Sequence, residues 1–179
     1  SFGRPAIDPK QRLADGWLAY KRANLLGGTV RLGGHTGEAF NAAHKAALEA
    51  HPEYRAERNG VRQPYGATTK LCVSNPELQA LYIQDRLAAL KLQLARDPST
   101  VAVSVEPADG GGHCDCAACR KLGSISDRVF TLANAVARAV AQAYPGKYVS
   151  LLAYNEHAAV PAIALEPNLI VNVAAYAFQ

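Results

Sequence analysis

Two rhythms of apolar and polar residues alternate along this chain, and each switch between them falls at glycine or proline. Val101, Val103 and Val105 occupy alternate positions after the breaker pair Asp97-Pro98, which predicts a strand over Val101–Val105. Tyr148–Tyr154 and Leu169–Ala174 are short and almost continuously apolar, the pattern of strands covered on both faces. Thr29–Leu32 and Lys70–Val73 predict two briefer strands. Between them the apolar period lengthens to that of a helix. Leu13, Ala14, Trp17 and Leu18 form a stripe from Lys10 to Asn24, stopped by Gly27-Gly28. Phe40, Ala43, Ala47 and Leu48 form another behind Thr36, a suitable cap, with Glu38 in the first turn. A third runs from Pro76 to Arg96 on Leu78, Leu81, Tyr82, Leu87, Leu90 and Leu94, capped by Ser74 or Asn75 with proline at the favoured first position. A fourth spans about Ser126 to Ala143 on Val129, Phe130, Leu132, Ala133, Val136 and Val140, with Ser126 as its cap, and Pro145-Gly146 ends it. Residues 51–64 read as a polar, irregular passage turning at Asn59-Gly60, and prolines replace any clear helix between 155 and 167.

Strand and helix in strict alternation predict an α/β fold, a parallel sheet with right-handed crossovers. An open doubly wound sheet and a (β/α)8 TIM barrel both satisfy that order. Two features favour the barrel: polar residues follow every strand, and no glycine-rich phosphate loop opens the first helix, Gly33-Gly34-His35 being too short for a dinucleotide fingerprint. The expectation is therefore a single partial barrel over residues 1–179, about five consecutive β/α units. The remaining strands would come from the same precursor or another chain. In that geometry His35, Cys72 with Ser74 and Asn75, Glu106 with Asp109, Tyr154 with Glu156, and Asn172 with Tyr176 ring one mouth.

Composition narrows the function classes. With 179 residues, 49% hydrophobic and 19% charged, the chain is long and apolar enough to bury about 70% of its surface, so disorder is not expected. The net charge of +4 and pI near 8.9 are mildly basic, but Lys and Arg are scattered, which argues against nucleic acid as a partner. No apolar run approaches the ~20 residues of a membrane span, and Ser1–Pro5 is not a signal peptide. There is no Met, so the chain is expected to belong to a longer or processed precursor.

Residues 107–124 form a cysteine-rich loop that concentrates the reactive side chains. Asp109, three consecutive glycines, His113, Cys114, Asp115, Cys116 and Cys119 follow the Val101 strand directly. Cys114, Cys116 and Cys119, with Cys72 from the neighbouring strand end, have the donors for a tetrahedral structural zinc site, with His113 as a substitute ligand. The even cysteine count equally fits two disulfides in an exported protein, whether periplasmic, cell-surface or extracellular. Free or redox-active thiols form a third reading, for which Cys116-Ala-Ala-Cys119 lacks the strand and helix N-terminus of a thioredoxin site. In the first two readings the cysteines stiffen the loop that carries Asp109.

Several runs together carry a family resemblance. They are Ser104-Val-Glu-Pro-Ala-Asp109-Gly, Cys114-Asp-Cys116-Ala-Ala-Cys119, Ser126-Asp-Arg-Val-Phe with Asn134, Tyr144-Pro-Gly-Lys-Tyr-Val and Leu152-Ala-Tyr154. Upstream, Lys21-Arg-Ala-Asn24-Leu-Leu-Gly-Gly, Gly33-Gly-His35 and Leu71-Cys-Val-Ser-Asn75-Pro-Glu agree. These resemble the bacterial family catalogued as domain of unknown function 4838, which is similar to glycoside hydrolases with TIM barrels of the α-glucuronidase and family 20 hexosaminidase types. The resemblance implies a carbohydrate-active barrel and a carbohydrate substrate.

Glycoside hydrolysis uses two carboxyl groups, one protonated as acid and one ionised as nucleophile or base, about 5 to 9.5 Å apart. Asp109 is the expected essential carboxylate, with Glu106 or Glu156 as partner and Glu38 available from the first unit. By analogy with family 20, the substrate's own acetamide could replace the second group. Against this, Asp109 could simply cap a turn through Gly110 and Glu106 could be a solvated rim charge. His35 and Tyr154 are expected to hydrogen-bond or stack on a sugar, unless they are a satisfied loop histidine and a core aromatic. Asn75 and Asn155 complete the candidate sugar contacts. Arg22 and Arg31 could bind a uronic acid carboxylate, but read first as surface residues. The alternative class is a non-catalytic carbohydrate-binding or interaction module with a cysteine-stabilised loop. A zinc-finger-like nucleic-acid module would need a basic face beside the cysteines, where only Arg120 and Lys121 stand.

Overall fold

A computed structural model describes residues 35–174; the expected helix Lys10–Asn24, the strand Thr29–Leu32 and Tyr176 lie outside them. Helix α1 (Gly37–Ala43) is followed across His44 by α2 (Lys45–Ala50). Thr36 precedes α1 without capping it, since its hydroxyl donates instead to the carbonyl of Glu106 at 3.1 Å. The amide of Gly37 bonds the same carbonyl at 3.0 Å, so the start of α1 is stitched to a sheet strand far along the chain. The passage after α2 holds an antiparallel hairpin, β1 (Glu57–Arg58) and β2 (Val61–Arg62). Asn59 and Gly60 form its two-residue turn with φ of 51° and 78°, the left-handed pair that matches strand twist.

The strand expected at Lys70–Val73 is reduced to one antiparallel bridge, Leu71 with Arg55. The bridge carries two backbone bonds, from the Ala56 amide to the Lys70 carbonyl and from the Cys72 amide to the Tyr54 carbonyl, both at 2.8 Å. Lys70 and Cys72 are buried, the first against the carbonyl of Ala108 and the second among cysteine sulfurs. Helix α3 (Pro76–Arg96) follows, and Asn75 is its cap, accepting the Leu78 amide at 2.9 Å. Leu78, Tyr82, Arg86 and Leu90 recur every fourth residue and are its buried stripe.

Strand β3 (Ala102–Ser104), the short α4 (Ala117–Lys121), α5 (Ile125–Ala143), β4 (Tyr148–Ala153) and β5 (Leu169–Val173) complete the described chain. The cap of α5 is Ser124 rather than Ser126. Ser124 Oγ accepts the Asp127 amide at 3.1 Å while the Asp127 carboxylate accepts the Ser124 amide at 2.8 Å, a reciprocal capping box. Ser126 is buried one residue inside the helix. Strands β3, β4 and β5 form a parallel sheet in that order, with Ser104 beside Ser150 and Leu151 beside Val171. Helix α3 packs on α5 and β3, and α5 packs on β4. Tyr82, Leu90, Val103, Phe130, Val136 and Val149 are fully buried in the core, each contributing about 1.5–3 kcal/mol through its apolar surface. Among the described residues the sheet is open, and no helix is long and apolar enough to cross a membrane.

Parallel pairing sets the site. It brings the carboxyl ends of β3 and β4 side by side, so that loops 105–116 and 154–157 leave the sheet at the same end.

Candidate functional site

Asp109 is an accessible carboxylate at this end, its side chain 54% exposed, and Glu156 is exposed as well. Asp109 Oδ1 lies 3.6 Å from His35 Nε2 and accepts the Tyr154 hydroxyl at 3.5 Å; the two rings are 5.9 Å apart. The same oxygen accepts the Gly110 amide at 2.7 Å, so the turn-capping role expected of Asp109 and its approach to His35 and Tyr154 coexist. Two more acids border it. Glu38, in the first turn of α1, accepts the Asp109 amide on Oε1 at 2.7 Å. Glu156 accepts the Gly112 amide at 2.9 Å and lies over Gly111, where a Cβ would come within 2.6 Å of Oε1. A side chain at 111 would have to push that carboxylate aside.

Lys70 is the buried cation of the cluster. Its amine donates to the carbonyls of Ala108 and Asp109. Burial lowers its pKa below the ordinary lysine value, while Glu38, Asp109, Glu156 and Glu106 pull it back up. Its two bonds fix the loop backbone beneath Asp109.

Glu106 is 1% exposed, so it is neither a solvated rim charge nor open to the mouth. Its Oε2 accepts the Leu152 amide of β4 at 2.6 Å, and its Oε1 lies 3.6 Å from His157 Nε2. His157 is also buried, edge-on to His113 at 5.4 Å and to Tyr154 at 6.3 Å. Burial, and then the Lys70 charge, push the His113 pKa down to about 3, which keeps that ring neutral. Glu106 and His157 thus stand behind Tyr154 as buried support. Asn75 spends its side-chain oxygen on capping α3. Asn155 is exposed at the start of the 3₁₀ turn Asn155–His157, with φ of 48°.

On the far side of the glycines, Cys72, Cys114, Cys116 and Cys119 are buried free thiols whose sulfurs all lie within 4.8 Å of one another. Cys72 Sγ is 3.7 Å from Cys116 Sγ and 3.9 Å from Cys119 Sγ. Four sulfurs at ~2.3 Å around a tetrahedral ion stand about 3.8 Å apart, a separation that the two Cys72 distances match and that the group as a whole approaches. The residues around them supply donors. The Glu57 amide points to Cys114 Sγ at 3.2 Å, and Cys116, which caps α4, receives the Cys119 amide at 3.4 Å. Hydrogen bonds from Cys114 and Cys119 hold the Cys72 thiol far below its usual pKa, with burial opposing and Arg62 and Ser74 assisting. Cys119 is pushed far above, by Cys114, Cys72 and burial. His113 is outside the sulfur group.

The geometry can be compared with known proteins through the family model for Domain of unknown function (DUF4838), which matches residues 12–177. The chain belongs to the DUF4838 family. No curated protein and no solved structure matches it. In this DUF4838 domain the structure gathers Asp109, His35, Tyr154 and Glu156 at one end of the sheet and the four cysteines behind them, while Asn75 serves a helix. Sequence reasoning missed Lys70, for which the signal was a lone charge next to the apolar Leu71-Cys72-Val73.

Proposed function

We propose that this DUF4838 domain is a glycoside-hydrolase-like enzyme domain acting on a polysaccharide or glycoconjugate, and that its described strands are part of a (β/α)8 barrel. The observation that supports this reading most is the placing of an exposed carboxylate, Asp109, between a histidine and a tyrosine at the carboxyl ends of parallel strands, with Glu156 and Glu38 alongside. Asp109 is the essential carboxylate in this reading and Glu156 its partner. Tyr154 and His35 orient a sugar hydroxyl toward Asp109, and Glu106 supports them from within. Hydrolysis of chromogenic glycosides, including glucuronides and N-acetylhexosaminides, tests it. Asp109→Asn should lower kcat/KM about 10²-fold or more, the usual share of a general acid or base. Activity surviving that substitution intact contradicts the assignment.

A second reading keeps the site without turnover, as a carbohydrate-binding module. It draws on the backbone amides of Gly110 and Gly112, which already occupy one oxygen each of Asp109 and Glu156. Saccharide binding without product in the same screen would favour it.

We further propose that the ion suited to the four sulfurs is zinc, held by Cys72, Cys114, Cys116 and Cys119. A closed set of four thiolates is the donor set of structural zinc and leaves no position for substrate. Zinc there would tie residues 114–119 to Cys72 and so fix the loop that carries Asp109.

A further inference from the structure

Hairpin β1–β2 and the glycines after Asp109 border a groove of about 600 Å³. Its walls are the hairpin tip, Arg58 with Asn59, and the segment 63–69; Lys70, Gly111 and Gly112 line it as well. Each wall is braced by residues outside the lining. The hairpin is docked on the cysteine loop, where the Glu57 amide donates to Cys114 Sγ at 3.2 Å and the Asp115 amide donates to the Glu57 carbonyl at 2.9 Å. The other wall hangs on the fully buried Asn41, whose Nδ2 donates to the Ala67 and Thr69 carbonyls at 2.8 Å each and whose carbonyl accepts the Tyr65 hydroxyl at 3.2 Å. Braced walls lower the cost of ordering a binding site around a ligand. The groove also shares parts with the site of Asp109: Gly111 and Gly112 meet the Glu156 carboxylate, and Lys70 holds the Asp109 carbonyl.

The lining selects its ligand. Apart from Pro64, every side chain in it carries a polar atom, which suits a hydroxylated molecule, and the volume lies within the roughly 300–1,000 Å³ of small-molecule sites. Its two charged members, Arg58 and Lys70, are both cations; Asp109, Asp115 and Glu156 stand near the loop without lining the groove. Lys70 spends its amine on two loop carbonyls and adds charge alone. Arg58 is differently placed. Its carboxylate neighbour, Asp115 Oδ2, is 3.9 Å from Nε, too far for a hydrogen bond, and its Nη1 lies over Gly112, 3.5 Å from where a Cβ would stand. Among the described residues the outer nitrogens of its guanidinium donate to no acceptor. We propose that this groove is a subsite for an acidic saccharide, with the Arg58 guanidinium receiving its carboxylate or sulfate. The proposal rests on the carbohydrate reading above and names its substrate class. A planar guanidinium takes two oxygens of such a group at once, whereas a lysine ammonium lacks that fork.

The test is calorimetric titration of the purified full chain, carrying Asp109→Asn so that nothing is turned over, with oligogalacturonate, sulfated dextran oligosaccharide and its unsulfated counterpart. An acidic probe should bind, and its identity separates carboxylate from sulfate. Arg58→Gln should weaken that binding about ten-fold or more, the usual effect of losing a hydrogen bond to a charged group. Arg58→Lys should fall between, and Arg138→Gln, which removes an exposed cation paired with Glu166 elsewhere, should change nothing. Equal affinity for sulfated and unsulfated dextran, an unweakened Arg58→Gln, or no binding of either acidic probe overturns the proposal. Inorganic sulfate binding as tightly as sulfated dextran overturns it too, since the groove would then read the anion and not the sugar. If Arg58→Gln does not fold, salt decides: affinity for the acidic probe that added salt leaves unchanged contradicts a charged contact. Hydrolysis by the protein with Asp109 intact is read separately. Product from neutral glycosides with no effect of Arg58→Gln overturns the subsite and leaves the hydrolase reading standing, whereas Arg58-dependent binding without product from any saccharide does the reverse.

Discussion

Asp127 ties two pieces of chain together with one carboxylate. Its Oδ2 accepts the Ser124 amide and hydroxyl and its Oδ1 accepts the Ala162 amide, so it closes the start of α5 and pins the loop before β5. The Ser124 hydrogen bonds hold its pKa below the ordinary 3.8. A carboxyl group depressed in the folded state stabilises the fold above its unfolded value, and that stability is lost as pH falls through the folded one. Denaturant melts at pH 7 and pH 3 should therefore show a smaller acid loss in Asp127→Asn than in wild type. Ser124→Ala should cost about 1 kcal/mol at neutral pH, the usual worth of a cap. At this scale the sequence was partly legible. Asp109 and Tyr154 could be placed because a strand end determines where the next residues go. Glu106 could not be placed, because its burial depends on an amide of β4 offered nearly fifty residues later.

Whole elements were legible wherever the apolar period was long. Helices Pro76–Arg96 and Ile125–Ala143 and the parallel pairing of the last three strands follow from patterns that tertiary contacts reinforce. Lys70–Val73 and the 57–62 hairpin were not legible, since runs this short carry too little pattern. Close approach decides at Gly37, where a Cβ would collide with the backbone amide of Ala108. Gly37→Ala should pry α1 from the end of β3 and cost several kcal/mol, in the range of the larger single-mutation losses. A thermal melt would show it, and a melting temperature within a degree of wild type would contradict the packing. Leu90→Ala, at a fully buried position on α3, should cost about 2–5 kcal/mol by opening a cavity in the core.

For the molecule as a whole, the described chain is a parallel sheet with helices packed on it, and the DUF4838 family assignment spans nearly all of it. The alternation of strand and helix was legible in the parallel order β3-β4-β5, and among the described residues that sheet is open. The cysteines were legible as a set because their spacing is short and a strand end supplies the fourth. The choice between metal and disulfides was not, since both need close sulfurs, and only their three-dimensional arrangement distinguishes four atoms sharing a centre from two bonded pairs. The central claim is that these four sulfurs form one metal centre bracing the loop of Asp109. Native mass spectrometry of the purified protein tests it most directly. The account predicts one zinc per chain, lost on chelation together with the protection of all four thiols from alkylation. A metal-free mass lower by the four hydrogens of two disulfides would contradict it.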